Sequence, residues 1–82
     1  MERVRAECYA GHQGAERPLR FEKGGIWREV VEITDRWREP EDSFFRVRAD
    51  DGAICLLRQT QGRDEDLWMA ERASPPSAPS HL

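Results

Sequence analysis

The chain has 82 residues, of which 38% are hydrophobic and 35% are charged, and its formal net charge is −3. This length predicts one domain with a modest core rather than two domains. The negative charge argues against non-specific phosphate binding by the whole surface, and the apolar stretches are far shorter than the roughly 20 residues of a membrane-spanning helix.

The N-terminus and the cysteines indicate a reducing compartment. Residues 1–5 do not lead into the apolar region of a signal peptide, so we expect the protein to stay in the cytoplasm. Under reducing conditions Cys8 and Cys55 are expected to be thiols, buried as small hydrophobic side chains.

Apolar and polar residues alternate in two short segments near the N-terminus, which predicts two strands. Residues 3–9 place Val4, Ala6 and Cys8 on one face, and residues 18–22 follow after a loop.

Residues 26–37 predict a long third strand. Strand alternation puts Trp27, Val31, Ile33 and Trp37 on its inner side, and the adjacent Val30 and Val31 suggest a bulge. A helix is the competing interpretation, but five β-branched residues among the twelve favour a strand.

Residues 45–49 and 53–58 predict a hairpin. In the first strand Phe45, Val47 and Ala49 alternate with two outward-facing arginines. Asp50-Asp51-Gly52 is typical of a tight turn, either a two-residue turn or a type I turn with a bulge. The run 53–58 is apolar on both faces, which predicts a central strand, and we expect Leu56 in the interior.

The last predicted strand, residues 67–71, follows a polar turn. Beyond it, residues 73–80 contain three prolines and no large apolar residue. The sequence therefore predicts an all-β domain over residues 1–72 and a disordered tail over residues 73–82. We expect about five to six short antiparallel strands in a small meander, either a rolled sheet or an SH3-like barrel, because closure removes exposed edges.

Metal binding and catalysis lack the residues that they need. Cys8 and His12 are spaced like a ligand pair, with Cys55 or His81 as further candidates, but a structural zinc site needs a second close pair. A Cys8–His12 nucleophile would lack an oriented third group and oxyanion donors. We expect no metal, no cofactor, no small-molecule substrate and no enzymatic activity.

The candidate interaction surface combines one aromatic residue with arginines. It comprises Phe44, Arg46 and Arg48 on the outward face of one strand, with Arg28 and Arg36 on the preceding strand. Small barrels bind nucleic acid in this way, with cations along the phosphates and an exposed ring stacked on a base. The alternative is that Arg46 and Arg48 pair across the strands with Glu29, Glu32 or Asp35.

A protein partner is the leading functional prediction. At least two of Trp27, Trp37 and Trp68 are expected in the core, and an outward Phe44 beside arginines is typical of an interface anchor. An interaction module needs no active site, and its partner is not identifiable from the chain. Nucleic-acid binding is the alternative, and no membrane partner is expected.

Residues 18–70 resemble a family of short uncharacterised bacterial proteins. The resemblance lies in Arg20-Phe21, Gly25, Trp27, residues 30–33, Asp35-Arg36-Trp37, Phe44-Phe45-Arg46-Val47, Asp51-Gly52, Leu56-Leu57-Arg58 and Trp68. These segments are similar to a C-terminal appendage of Y-family polymerase-like mutagenesis proteins. The resemblance implies a β fold and, through its context, a link to DNA repair or damage tolerance. It implies no catalytic or binding residues.

Overall fold

The computed structural model describes residues 1–10, 16–62 and 66–74, and within these residues it contains six β-strands and no helix. The strands are β1 (Glu2–Ala10), β2 (Glu16–Lys23), β3 (Ile26–Arg38), β4 (Asp42–Ala49), β5 (Ile54–Thr60) and β6 (Leu67–Arg72). The predicted all-β fold is therefore confirmed. No helix in this part of the chain is long and apolar enough to span a membrane.

The six strands form an antiparallel meander that closes on itself. Each strand pairs with the next, and β1 completes the barrel by pairing with β6. β1 divides its hydrogen bonds, since residues 2–4 pair with β6 and residues 5–10 pair with β2. Closure leaves β1 and β6 paired rather than exposed as sheet edges.

Two glycine-containing turns set the register of neighbouring strands. Gly24 and Gly25 have φ of 62° and 82°, and they join Lys23 to its cross-strand partner Ile26 as a two-residue hairpin. Gly52 has φ of 86° and donates its N–H to the carbonyl of Ala49 (2.9 Å). The predicted turn at residues 50–52 is thus the type I turn with a bulge.

Nine buried side chains from five strands form the core. They are Val4, Phe21, Phe45, Val47, Ala49, Cys55, Leu57, Trp68 and Ala70. The predicted inward alternation of Phe45, Val47 and Ala49 is confirmed. Val47 and Leu57 are completely buried, so they mark the centre of the barrel.

The inner face of β3 differs from the prediction. Register shifts on either side of Val31 and Thr34 show two bulges in this strand, where the sequence suggested one. Each bulge reverses once which face of the sheet the following side chains occupy. Ile33 therefore faces inward as predicted, opposite Val47, whereas Val31 is 54% exposed. The prediction that Val31 faces inward is wrong.

Two of the three tryptophans lie outside the core. Trp27 pairs with the outward Glu22, and Trp37 is 39% exposed, whereas Trp68 is buried against Phe45. The prediction of at least two core tryptophans is therefore wrong, as is the inward placement of Trp27 and Trp37. The register of each hairpin, rather than the size of the side chain, decides which face these rings occupy.

The inner face of β5 is offset by one residue from the expected one. Cys55 and Leu57 are buried and Leu56 is half-buried on the outer face, so the expectation of an inward Leu56 is wrong. Because every position in 53–58 except the last is apolar, composition alone did not distinguish the two faces.

Sheet pairing continues slightly past the predicted domain boundary. Ala73 donates its N–H to the carbonyl of Ile54 (2.9 Å), one residue beyond β6. Residues 75–82, most of the predicted disordered tail, lie outside the described residues.

Candidate interaction surface

One row of side chains crosses the outer face of the barrel over five strands. Trp37 on β3 is the cross-strand partner of Phe44 on β4, which is opposite Arg58 on β5. Arg58 is in turn opposite Met69 on β6, and Met69 is opposite Arg3 on β1. We call these five residues the outer row, and they contain no carboxylate.

The two aromatic rings of the outer row are stacked. The ring centroids of Trp37 and Phe44 are 5.2 Å apart, and their planes differ by 4°. Phe44 faces outward as predicted, half-buried beneath this contact. The pair forms a flat apolar surface that a partner could cover without rearrangement, since each ring holds the other in place.

Apolar side chains continue beside the outer row on β5 and β6. Leu56 lies two residues before Arg58, and Leu67 lies two residues before Met69, both half-buried on the outer face. We use the name outer strip for the outer row together with Leu56 and Leu67. A contiguous set of partly exposed apolar side chains on one face is typical of an interaction surface.

The predicted surface arginines beside the strip are neutralised by neighbouring carboxylates. Arg46 Nη1 lies 2.7 Å from Asp35 Oδ2, and Arg48 Nη2 lies 3.0 Å from Glu32 Oε1. Both pairs join residues directly opposite each other on β3 and β4. The outward placement of both arginines is confirmed, and so is the alternative in which they pair across the strands with Asp35 and Glu32.

Arg58 is different, because it sits inside the strip without a carboxylate. Its Nε atom is buried and has no hydrogen-bond partner. Its cross-strand neighbours are Phe44, whose side chain has no acceptor, and Met69, whose thioether sulfur is only a weak one. Within the described part of the chain, neither Arg58 nor Arg3 forms a salt bridge.

Arg28 and Arg36 do not join this surface. Arg28 is opposite the buried Phe21 and lies near Asp50 and Asp51, with nitrogen–oxygen distances of 3.7 and 3.5 Å. Arg36 is opposite Phe45 and places its guanidinium 5.4 Å from the centre of that ring. The two arginines therefore follow the inner face of β3 toward opposite ends of the barrel, so the predicted five-residue surface is not assembled.

A cavity of about 390 Å³ opens at the end of the barrel that contains Arg28. Its apolar lining includes Phe21, Ala49 and Cys55, and burial raises the pKa of the Cys55 thiol. Lys23, Arg28 and Arg72 line its polar part together with Glu2 and Asp51. The mixed charges give this cavity no clear preference for one sign of ligand.

The cysteines are both free thiols and lie on the inner side of the barrel. Cys55 is buried as predicted, whereas Cys8 is half-buried and packs against the core. Among residues 1–10, 16–62 and 66–74 there is no group of three or more His, Cys, Asp or Glu side chains arranged to hold a metal ion. His12 and His81 lie outside these residues.

Trp27, which the sequence analysis placed inside the barrel, forms a separate aromatic site on the outer face. Trp27 lies between two guanidinium groups, with Arg5 and Arg20 at 5.7 and 5.3 Å from the ring centre. Arg20 also donates from Nε to Glu7 Oε1 (2.7 Å), and this hydrogen bond raises the pKa of Arg20. The arginines that contact Trp27 also pair with carboxylates, so the charges of this surface site balance one another.

Comparison with protein-family models, curated proteins and solved structures finds no match for this chain. The similarity to a polymerase appendage therefore stays a prediction from the sequence. The fold and the outer strip are the observations on which a function can be proposed.

Proposed function

We propose that the protein is a non-catalytic interaction domain that binds a protein partner in the cytoplasm through the outer strip. The observation that carries the proposal is the outer row, in which a stacked Trp37–Phe44 pair and Arg58 stand side by side. Tryptophan and arginine are the residue types that most often dominate binding energy at protein interfaces. No cofactor and no catalytic group is part of the proposal.

The surroundings of the strip match the anatomy of a protein interface. Apolar side chains flank Arg58 at its centre, and the Arg46–Asp35 and Arg48–Glu32 pairs lie along one side. An apolar centre with a polar rim excludes water from the central contacts while the rim stays solvated. The paired charges thus keep the rim of the strip hydrated. Because each pair is neutral, the pairs add no net electrostatic field.

Nucleic-acid binding remains the second candidate, and it rests on the outward Arg46 and Arg48. A phosphate backbone is held by several cations in succession. Here Asp35 and Glu32 already occupy the two arginines at 2.7 and 3.0 Å. A nucleic acid would have to displace both carboxylates, so the charge arrangement favours a protein partner.

The proposal is tested by capture of partners from the native cell with the tagged full chain. Phe44→Ser removes an aromatic ring from the strip, and Tyr9→Ser is the matched control. Tyr9 is also an outward aromatic residue, but it lies on β1 and contacts Arg17 rather than the strip. The proposal expects a reproducible partner that is lost with Phe44→Ser and kept with Tyr9→Ser.

Equal recovery with both variants would contradict the proposal, and so would the absence of any reproducible partner. Circular dichroism of each variant shows whether it is folded. If Phe44→Ser unfolds the domain, Trp37→Ser replaces it, because Trp37 is 39% exposed and outside the core. Oligonucleotides titrated at low salt test the second candidate, and salt-sensitive binding weakened by Arg46→Glu would favour nucleic acid instead.

A further inference from the structure

We infer that Arg58 is the specificity-determining residue of the outer strip, and that the partner segment places a side-chain carboxylate on its guanidinium beside an apolar residue. This inference rests on the proposed function, because it names the chemistry of the partner for the same surface. It predicts an acidic peptide segment in which Asp or Glu lies close to an aromatic or aliphatic side chain.

Arg58 has a hydrogen-bond donor that no other described residue satisfies. Its buried Nε has no acceptor, although a buried N–H group normally finds one. The side chain lies on the outer face, so rotation about its outer bonds can present Nε and a terminal nitrogen to a ligand. A carboxylate then fits both nitrogens at once, since its two oxygens match the fork of a guanidinium group.

The charge of the outer row also favours an acidic ligand. Arg58 and Arg3 both belong to it, and Met69 separates them. Neither forms a salt bridge with another described residue, whereas Arg46 and Arg48 beside the strip do. Among the described residues, the row therefore presents two arginines without a salt-bridge partner, and an acidic partner is its electrostatic complement.

The neighbours of Arg58 favour a peptide carboxylate over a phosphate chain. Phe44, Met69 and Leu56 surround Arg58 with apolar surface, and the adjacent cations are already paired. A half-buried cation with apolar neighbours suits one acidic side chain flanked by apolar ones. Successive phosphates would instead place further negative charges over apolar side chains, where nothing offsets their desolvation.

The inference is tested with a random peptide display library as the probe and the full chain as the target. We expect the selected peptides to be enriched in Asp or Glu next to an aromatic or aliphatic residue. A synthetic version of a selected peptide should then bind at least about tenfold more weakly to Arg58→Met, which retains the length of the apolar stem. Arg28→Met is the matched control and should bind as the wild type does, because Arg28 does not join this surface.

Arg58→Glu reverses the charge of the site and gives the most decisive test. Selection against this variant should replace the acidic preference with Lys or Arg at the same peptide position, since the charge of the site is inverted. Peptides without acidic enrichment, or equal affinity for the wild type and Arg58→Met, would overturn the inference. If those peptides still lose binding with Phe44→Ser, the proposed function stands while the role of Arg58 fails.

A failure of Phe44→Ser to weaken any selected peptide would reject both proposals together. Selected peptides that bind wild type, Arg58→Met and Phe44→Ser alike recognise some other surface. A further outcome is an oligonucleotide that competes with the peptide for the wild type and fails to bind Arg58→Met. That result would show that the outer row binds phosphate, and it would overturn the carboxylate inference.

Discussion

Trp37 and Phe44 are direct cross-strand partners on the outside of the barrel, and their rings lie parallel with centroids 5.2 Å apart. The turn between β3 and β4 creates this relationship. Glu39 and Asp42 exchange both backbone hydrogen bonds, at 2.9 and 3.3 Å, around Pro40 and Glu41. Counting outward from this two-residue turn places residue 37 opposite residue 44 on one face.

The stacked pair predicts a measurable coupling energy. In a double-mutant cycle with Trp37→Ala and Phe44→Ala, we expect the free energies of unfolding to be non-additive by about 0.5 to 1.5 kcal/mol. Urea unfolding of the two single variants and the double variant measures this quantity. A cycle of Phe44 with Tyr9 is the control, and coupling in the first cycle no larger than in the control would contradict the stacking.

Neighbouring leucines on β5 are predicted to differ sharply in their contribution to stability. Leu57 is fully buried, whereas Leu56 is half-buried on the outer face. Leu57→Ala should lower the free energy of unfolding by about 2 to 5 kcal/mol, because it leaves a cavity in the core. Leu56→Ala should cost less than about half as much. Equal losses for the two variants would mean that the register of β5 is wrong.

Arg58→Met is predicted to stabilise the free protein. The substitution removes a buried donor that lacks an acceptor and keeps a straight apolar side chain, so the free energy of unfolding should rise by about 1 kcal/mol. Arg46→Met is the matched control, because it removes the 2.7 Å contact with Asp35 and should bring no such gain. A stability loss for Arg58→Met would show that Nε is satisfied in solution.

The hairpin between β4 and β5 predicts one acid-sensitive contribution to stability. The backbone N–H of Ala53 donates to Asp51 Oδ1 (3.0 Å), and this hydrogen bond lowers the pKa of the Asp51 carboxyl group. A depressed folded pKa contributes stability above the unfolded value of about 3.9, and that stability is lost as the pH falls through the folded pKa.

The stability difference between the wild type and Asp51→Ala should therefore be largest near neutral pH and shrink below about pH 4. Urea unfolding of both proteins across this pH range measures it. Glu41→Ala, in the turn between β3 and β4, is the control, because the Glu41 carboxylate forms no hydrogen bond or salt bridge with another described residue. A difference that grows on acidification would contradict the assigned direction.

Much of the fold was predictable because several strands carry a clear alternation. The segment 45–49 has apolar and charged residues at strictly alternating positions, so its inner face was identified correctly. Gly52 likewise identified its turn, since glycine is the residue that most readily adopts positive φ.

The long strand β3 was harder to predict, because two bulges each reverse its alternation. The orientation of the side chains at its two ends could nevertheless be deduced from the adjacent turns. A two-residue hairpin at Gly24 and Gly25 places Trp27 on the face opposite to Phe21. The outward Phe44 similarly implies an outward Trp37 once the turn at residues 40 and 41 is recognised.

The remaining features of the outer strip have no local sequence signal. The isolation of Arg58 depends on which carboxylates the neighbouring strands bring close, and both Asp35 and Glu32 are directed toward other arginines by the bulges of β3. An arginine among apolar residues looks the same in sequence whether it is paired or free. Only the strand pairing of the folded protein shows that Arg46 has a salt-bridge partner and that Arg58 has none among the described residues.

Site-specific photo-crosslinking in the native cell tests the binding role of the outer strip most directly. A photoreactive phenylalanine derivative at position 37 lies in the outer row, and the same derivative at position 31 lies on the same strand at the exposed bulge. We expect a discrete protein adduct from position 37 and none from position 31. Adducts only from position 31, or none from position 37 in a folded and expressed protein, would contradict the assignment of the partner site.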